Sequence, residues 1–241
     1  MKENSPVLKV LKLNFEKYSG EELVAMYGNM QLPLWAKEVM EFLKEFITAE
    51  EVSCFTSGTT GAPKKIVFEQ KQLIGSAKNT LSFFELHKGN KVLLPLSCKH
   101  IAGKMMVVRA LVGKLNLTVI KPVSSVEKVI TDKYDFSVMI PMQIQSYLAS
   151  ENKEDLGKLG KILVGGSEIN QNIIKGLNEL KIPAWCSFGM TETMSHFALR
   201  ELSPNEQKSY ACLKGFEVKN DFKNQLSLKN DALGIAGLQT N

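Results

Sequence analysis

The chain has 241 residues, 44% of them hydrophobic and 23% charged, which suits one large globular domain or two small ones with a substantial core. Its formal net charge of +5 comes from scattered lysines rather than a basic block, which argues against nucleic acid as a partner while favouring anionic ligands. Residues 1–10 lack an apolar signal region and no apolar run reaches about 18 residues, so neither a signal peptide nor a membrane span is predicted.

In chain order, residues 8–14 read as a strand and are followed by helices. Within 34–47, Leu34, Val39, Phe42, Leu43 and Phe46 fall broadly on one face. An apolar lead at Val52, Cys54 and Phe55 then enters six small residues, Thr56, Ser57, Gly58, Thr59, Thr60 and Gly61, before Ala62-Pro63-Lys64-Lys65 and a second β-type run, 66–68. Beyond it, helical stripes at 70–86, 101–112, 125–131, 143–150 and 170–180 alternate with strand-like runs at 91–96, 117–120, 136–140, 161–164 and 184–188. Such alternation predicts an α/β fold, a layered and largely parallel sheet with crossover helices. After Glu201 the pattern changes to short alternating runs at 217–220 and 225–229, a small antiparallel β element. The division expected is a short N-terminal segment (1–50), an α/β core (51–200) and a β-rich end (201–241).

Parallel sheets bind ligands beyond the carboxyl ends of their strands. Three stretches fall there: Gly165-Gly166-Ser167, Phe188-Gly189, and His100 a little past the strand ending at Leu96. The stretch Thr56 to Lys65 places two glycines, four hydroxyls and two ammonium groups close together, as a loop wrapping a polyphosphate needs. It departs from the pattern G-x-x-x-x-G-K-S/T, because Lys64 stands three residues past Gly61 with no hydroxyl after it. On the glycines alone, a plain hairpin turn accounts for it equally well. Four cysteines, Cys54, Cys98, Cys186 and Cys212, have no C-x-x-C spacing and read as reduced, packed thiols of a cytoplasmic protein. His87 precedes a Lys-Gly-Asn turn and is expected at the surface.

The loop Thr56 to Lys64, taken with Phe188-Gly189-Met190-Thr191-Glu192 about 130 residues later, resembles the two signature loops of the adenylate-forming superfamily of acyl- and aryl-CoA synthetases. The resemblance implies a carboxylate attacking the α-phosphorus of ATP, release of pyrophosphate, and passage of the acyl group from acyl-AMP to coenzyme A. It also implies roles. Thr56, Ser57, Gly58, Thr59, Thr60, Gly61 and Lys64 would wrap the β- and γ-phosphates, and Thr191 would donate to the α-phosphate. Glu192 would hold Mg²⁺, Phe188 would stack on adenine beside Gly189 and Met190, and Gly165, Gly166 and Ser167 would floor the base. His100 would gate the carboxylate pocket, in a looser match, because Ser97-Cys98-Lys99 intervene.

The stretch Thr191 to Pro204 is similar to o-succinylbenzoate–CoA ligases of menaquinone synthesis. That acid carries a second carboxylate, for which Lys99, Lys104, Arg109, Ser195 and His196 are candidates. Lys104 and Arg109 do not share a helical face, so at most one is expected to point inward. Partners implied are a small-molecule carboxylate, ATP and CoA, with a homodimer as one arrangement. Lys65 stands where the superfamily commonly has glycine. The short lead before Thr56 and the end at Thr240-Asn241, where a ribose-binding aspartate is expected next, suggest the large core of a longer enzyme.

Overall fold

The computed structural model describes residues 8–56, 64–123, 130–203, 209–220 and 225–239. Strands β1 (Val10–Asn14), β4 (Lys91–Leu94), β5 (Asn116–Ile120), β6 (Phe136–Met139), β7 (Ile162–Val164), β8 (Ala184–Gly189), β9 (His196–Glu201) and β10 (Ala211–Cys212) form the central sheet, ordered β1-β5-β4-β6-β7-β8-β9-β10. The five strands from β5 to β8 are parallel, while β1, β9 and β10 pair antiparallel at its ends. The parallel strands are short apolar runs (VLL in β4, ILV in β7) because helices cover both faces.

Helices α1 (Gly20–Gly28), α2 (Leu34–Thr48), α3 (Gln70–Phe83) and α4 (Ile101–Gly113) bury one face, packing Leu43, Leu73, Ala77 and Val107 against Val92, Leu94 and Leu117. Helices α5 (Pro141–Leu148) and α6 (Gln171–Glu179) bury the other, with Ile144 and Ile173 against Leu93, Ile120 and Ile162. Starts follow local chemistry. Ser19 and Glu22 form a reciprocal capping box at α1, and Pro141 ends the β6 run and opens α5 with its preset φ.

Two elements stand outside this sheet. The hairpin β2 (Glu51–Phe55) and β3 (Lys65–Glu69) pairs only with itself, and β11 (Glu217–Asn220), β12 (Leu226–Asn230) and β13 (Ile235–Gln239) form the small antiparallel sheet. Strands β9 and β13 were not expected from sequence. β9 (HFALRE) is buried on both faces for four residues, with Phe197, Ala198 and Leu199 a continuous apolar run, so it has no alternation to betray it.

Two expectations are corrected. Leu34 is 69% exposed, because it is the first residue of α2 and precedes the turn that meets the core. Cys212 is exposed on the two-residue edge strand β10, whereas the other three cysteines are buried, and burial pushes the Cys98 thiol up to about 12. The helix expected at 125–131 falls mostly outside the described residues.

The chain leaves β4 for β5 on one side and returns to β6 on the other, so a crevice opens at the carboxyl ends of β4 and β6, where α4 begins. Helix α3 is pinned at its end against the amino ends of β6 and β8. Phe84 caps it, buried between Phe83, Phe136 and Trp185 at ring distances of 4.9, 4.8 and 5.1 Å. Phe84→Ala should therefore lower stability by about 3–5 kcal/mol in urea unfolding. A loss under about 1 kcal/mol would mean that the neighbouring rings close the gap.

Candidate functional site

The hairpin presents the small-residue loop. Its last pair is Phe55 with Lys65, and beyond it the Thr56 N–H donates to the Lys64 carbonyl (3.0 Å) while the Lys64 N–H donates to Thr56 Oγ1 (3.1 Å). These bonds close the neck. Ser57, Gly58, Thr59, Thr60 and Gly61 lie outside the described residues, and the Lys64 side chain is exposed.

At the end of β7, Gly166 adopts φ +96°, a conformation that favours glycine. Gly165 has no room for a side chain, because a Cβ would overlap Ser187 Oγ, which donates to the Val164 carbonyl. Ser167 is exposed beyond them. At the end of β8, Phe188 is 39% exposed and tilts against Phe197 and Tyr210, with centroids 5.0 and 5.5 Å away. Tyr210 belongs to no motif, so nothing in the sequence singled it out. Gly189 passes so close to Ser195 O and His196 Cα that a Cβ would collide with backbone.

Thr191 to Thr193 form a single 3-10 turn. The buried Thr193 locks it: its hydroxyl accepts from the Met190 N–H at 3.0 Å and lies 2.9 and 2.6 Å from the Met190 and Ser195 carbonyls. Met194 follows with φ +62°, a left-handed non-glycine residue held by burial. The turn leaves Thr191 and Glu192 half-buried at its tip.

These segments converge on two adjoining cavities. One, of about 290 Å³, has apolar walls (Leu96, Ile101, Val138, Leu163) and a polar side made by Gly165, Gly166, Thr191, Ser195, His196 and Arg109. The other, about 470 Å³, shares Leu96, Ile101, Gly166 and Thr191 and adds Phe55, His100 and Gln143. His100 is the N-cap residue of α4, with an exposed side chain that makes no cap hydrogen bond. Gln143, missed in the sequence because it looks like an ordinary helix-surface residue, is buried and donates to the Pro95 and Val123 carbonyls.

Of the basic candidates, only Arg109 faces the first cavity. Lys104 turns the other way, donating to the Ser53 carbonyl (2.9 Å) with its ammonium 4.8 Å from the Phe42 ring centre. Lys99 pairs with Glu38 at 3.2 Å on the surface. Arg109 is 1% exposed. Its Nη2 donates to Ser195 Oγ at 2.8 Å, its Nε meets no acceptor, and among the described residues no carboxylate lies within ion-pair distance. Burial lowers its pKa to about 9, which leaves it charged at neutral pH.

Ser195 Oγ lies 3.1 Å from His196 Nδ1, and His196 Nε2 lies 3.3 Å from Thr80 Oγ1. Burial, and then the Arg109 charge, hold this imidazole well below its ordinary value of 6.5. Unfolding returns it to that ordinary value, so below about 6.5 the unfolded chain takes up a proton that the folded chain refuses. Stability from this source is therefore complete above about pH 6.5 and falls with acidification by ~1.4 kcal/mol per pH unit. His196→Gln should lose less stability than the native chain between pH 7 and 5.5, as read by urea midpoints. Parallel losses would show that His196 takes up its proton as readily in the fold as in the unfolded chain.

Known proteins bear on this geometry. Residues 44–219 match the family model described as AMP-binding enzyme. The 2-succinylbenzoate–CoA ligase of Staphylococcus epidermidis is 27% identical over 147 residues, covering 59% of this chain and 31% of that protein. Indoleacetate–CoA ligase of Aromatoleum aromaticum is 25% identical over 146 residues, covering 58% and 29%. The chain thus spans under a third of the length of the curated relatives it matches. Among solved structures, an acyl-CoA synthetase (AMP-forming)/AMP-acid ligase II-like protein from Dyadobacter fermentans superposes with a TM-score of 0.85 at 30% identity, over 96% of this chain and 65% of that one. The o-succinylbenzoate coenzyme A synthetase of Bacillus subtilis, in complex with ATP and magnesium ion, shares the fold at TM-score 0.66 and 18% identity, over 95% and 56%.

Proposed function

The chain belongs to the AMP-binding enzyme family, and from that premise we propose that it supplies the nucleotide and acyl sites of an ATP-dependent carboxylate–CoA ligase whose acid carries a second anionic group, with o-succinylbenzoate as the acid that fits best. One observation carries the substrate: a buried guanidinium without a carboxylate partner stands in the polar side of an otherwise apolar cavity. A lone buried charge is costly, and an anion that enters the cavity supplies the missing half of the pair. A planar guanidinium suits a carboxylate, which it can hold through two parallel bonds.

The chemistry asks for positioning and charge stabilisation rather than a protein nucleophile. An acyl carboxylate oxygen bonds to the α-phosphorus as the bond to the bridging oxygen breaks, and pyrophosphate departs with that electron pair. The thiol of coenzyme A then forms the thioester, and AMP leaves with the bonding pair of the acyl–oxygen bond. In this reading the neck residues Thr56 and Lys64, with the loop residues Ser57 to Gly61, hold the β- and γ-phosphates. Thr191, on a turn locked by Thr193, donates to the α-phosphate. Phe188 offers its half-exposed ring to adenine, and the Gly165-Gly166-Ser167 segment passes beneath the base. His100 stands at the second cavity, where the reacting carboxylate would enter.

The donor set also suits magnesium. Glu192 is a single carboxylate at the mouth, and among the described residues no three acidic, histidine or cysteine groups gather into a protein cage. Mg²⁺ is commonly held by one or two carboxylates with substrate phosphates and water, and when bound it would neutralise charge on the leaving pyrophosphate. Glu192→Ala should abolish the Mg²⁺-dependent part of ATP binding, measured by calorimetry with and without the metal. Unchanged binding would remove Glu192 from the metal site and favour a docking module.

The substrate is tested by titrating the chain with sulfamoyl-adenosine mimics carrying o-succinylbenzoyl, benzoyl or fatty-acyl groups. Preference for the first is expected, and Arg109→Gln should weaken that ligand by about 2 kcal/mol or more, roughly thirtyfold, with little effect on the benzoyl mimic. Equal affinities would point to an acid without a second charge, such as an arylacetate.

A further inference from the structure

Resting on the reading that Arg109 receives the second anionic group, we propose that Thr80, a residue of α3 that does not line the cavity, is a positioning residue that orients Arg109 through His196 and Ser195. The four side chains form one line. Arg109 Nη2 is 2.8 Å from Ser195 Oγ, Ser195 Oγ is 3.1 Å from His196 Nδ1, His196 Nε2 is 3.3 Å from Thr80 Oγ1, and Thr80 Oγ1 is 3.3 Å from the Ser76 carbonyl. Most of it is shut away from water: Arg109, His196, Thr80 and Ser76 are each 5% exposed or less, while Ser195 is half-buried at the cavity.

One assignment of protons satisfies every group in this line, and it belongs to the proposal. Guanidinium only donates, so Ser195 Oγ accepts from Arg109. In this assignment the Thr80 hydroxyl gives its one proton to the Ser76 carbonyl, which leaves Thr80 a lone pair for His196. The proton of the neutral imidazole therefore sits on Nε2. Nδ1 is bare and takes the Ser195 proton. This tautomer satisfies both ends, whereas a charged imidazole would leave Nδ1–H facing Ser195 with a second positive charge beside Arg109. The consequence lies at the cavity. The Ser195 proton is turned away from the ligand, and its lone pair anchors Nη2 while the buried Nε keeps its proton unpaired. Without the Thr80 hydroxyl, Nε2–H has no acceptor in a dry site. The proton then moves to Nδ1, which donates to the second lone pair of Ser195, so Ser195 no longer donates onward and its bond to Arg109 weakens.

The test uses the ¹⁵N-labelled 241-residue chain, whose three histidines allow His196 to be assigned by its loss in His196→Gln. The native chain should show Nε2–H at His196. Thr80→Val should shift the proton towards Nδ1 and lower the affinity ratio of carboxylate-tailed over neutral-tailed sulfamoyl-adenosine mimics by about tenfold. Thr80→Ser should restore both. An Nδ1–H or charged His196 in the native chain overturns the proposal, as does a native ratio in Thr80→Val. If the buried valine prevents folding, Thr80→Ala carries the same comparison, and the native tautomer decides the polarity by itself. An Arg109→Gln chain that keeps the native ratio overturns the anion reading beneath. Loss of the ratio in Arg109→Gln with retention in Thr80→Val overturns the relay alone.

Discussion

A buried guanidinium, Arg109, that has no counter-charge among the described residues is the constraint around which the site is built. Removing a cation from water is expensive, and the protein offsets only part of the penalty with the hydrogen bond from Arg109 to Ser195. The surroundings have to hold it there. Helix α4 is apolar nearly all round and sinks into the core beside α3, carrying Arg109 with it. Gly103 lets that helix lie against the Ser97 backbone, where a Cβ would collide. On the opposite side Gly189 performs the same service for Ser195 and His196. Two close backbone approaches therefore set where the charge can sit.

The sheet topology explains why polar and apolar walls meet at this place. The reversal of strand order about β4 opens the crevice, and the parallel strands β6, β7 and β8 each deliver their terminal residues to it. Most of this wall is rigid core. The hairpin β2–β3 is hydrogen-bonded only to itself, outside the central sheet, and joins the core through Val52, Cys54 and Phe68. Helix α3 connects further afield: Gln72 and Asn79 donate to the carbonyls of Leu233 and Lys214 in the C-terminal region. The small antiparallel sheet thus braces the same helix that bears Thr80.

Patterns of local period were readable in the sequence. Helices α2, α3, α4 and α6 follow apolar stripes, and strands β4 to β8 follow short apolar runs between breakers, so the α/β alternation and the parallel sheet were accessible. Strand β9 was not, because burial on both faces erased its alternation. Edge effects misled too: Leu34 at a helix start and Cys212 on a two-residue edge strand are exposed despite apolar neighbours. Among site residues, those in loops with Gly, Thr and Glu at fixed spacing stood out. Arg109 appeared only as one of three interchangeable cations, and Thr80, Gln143 and Tyr210 not at all.

The sequence by itself determined the family, the order of elements and the two loops, since these depend on residues adjacent in the chain and on glycine and hydroxyl chemistry that neighbours cannot mimic. Tertiary structure decided which cation faces the cavity, which histidine is buried, and which way its proton points. Those properties arise from residues up to 116 positions apart, as in the Thr80–His196 contact. Desolvation is a property of the assembled surroundings, so the string of letters carries no local trace of it.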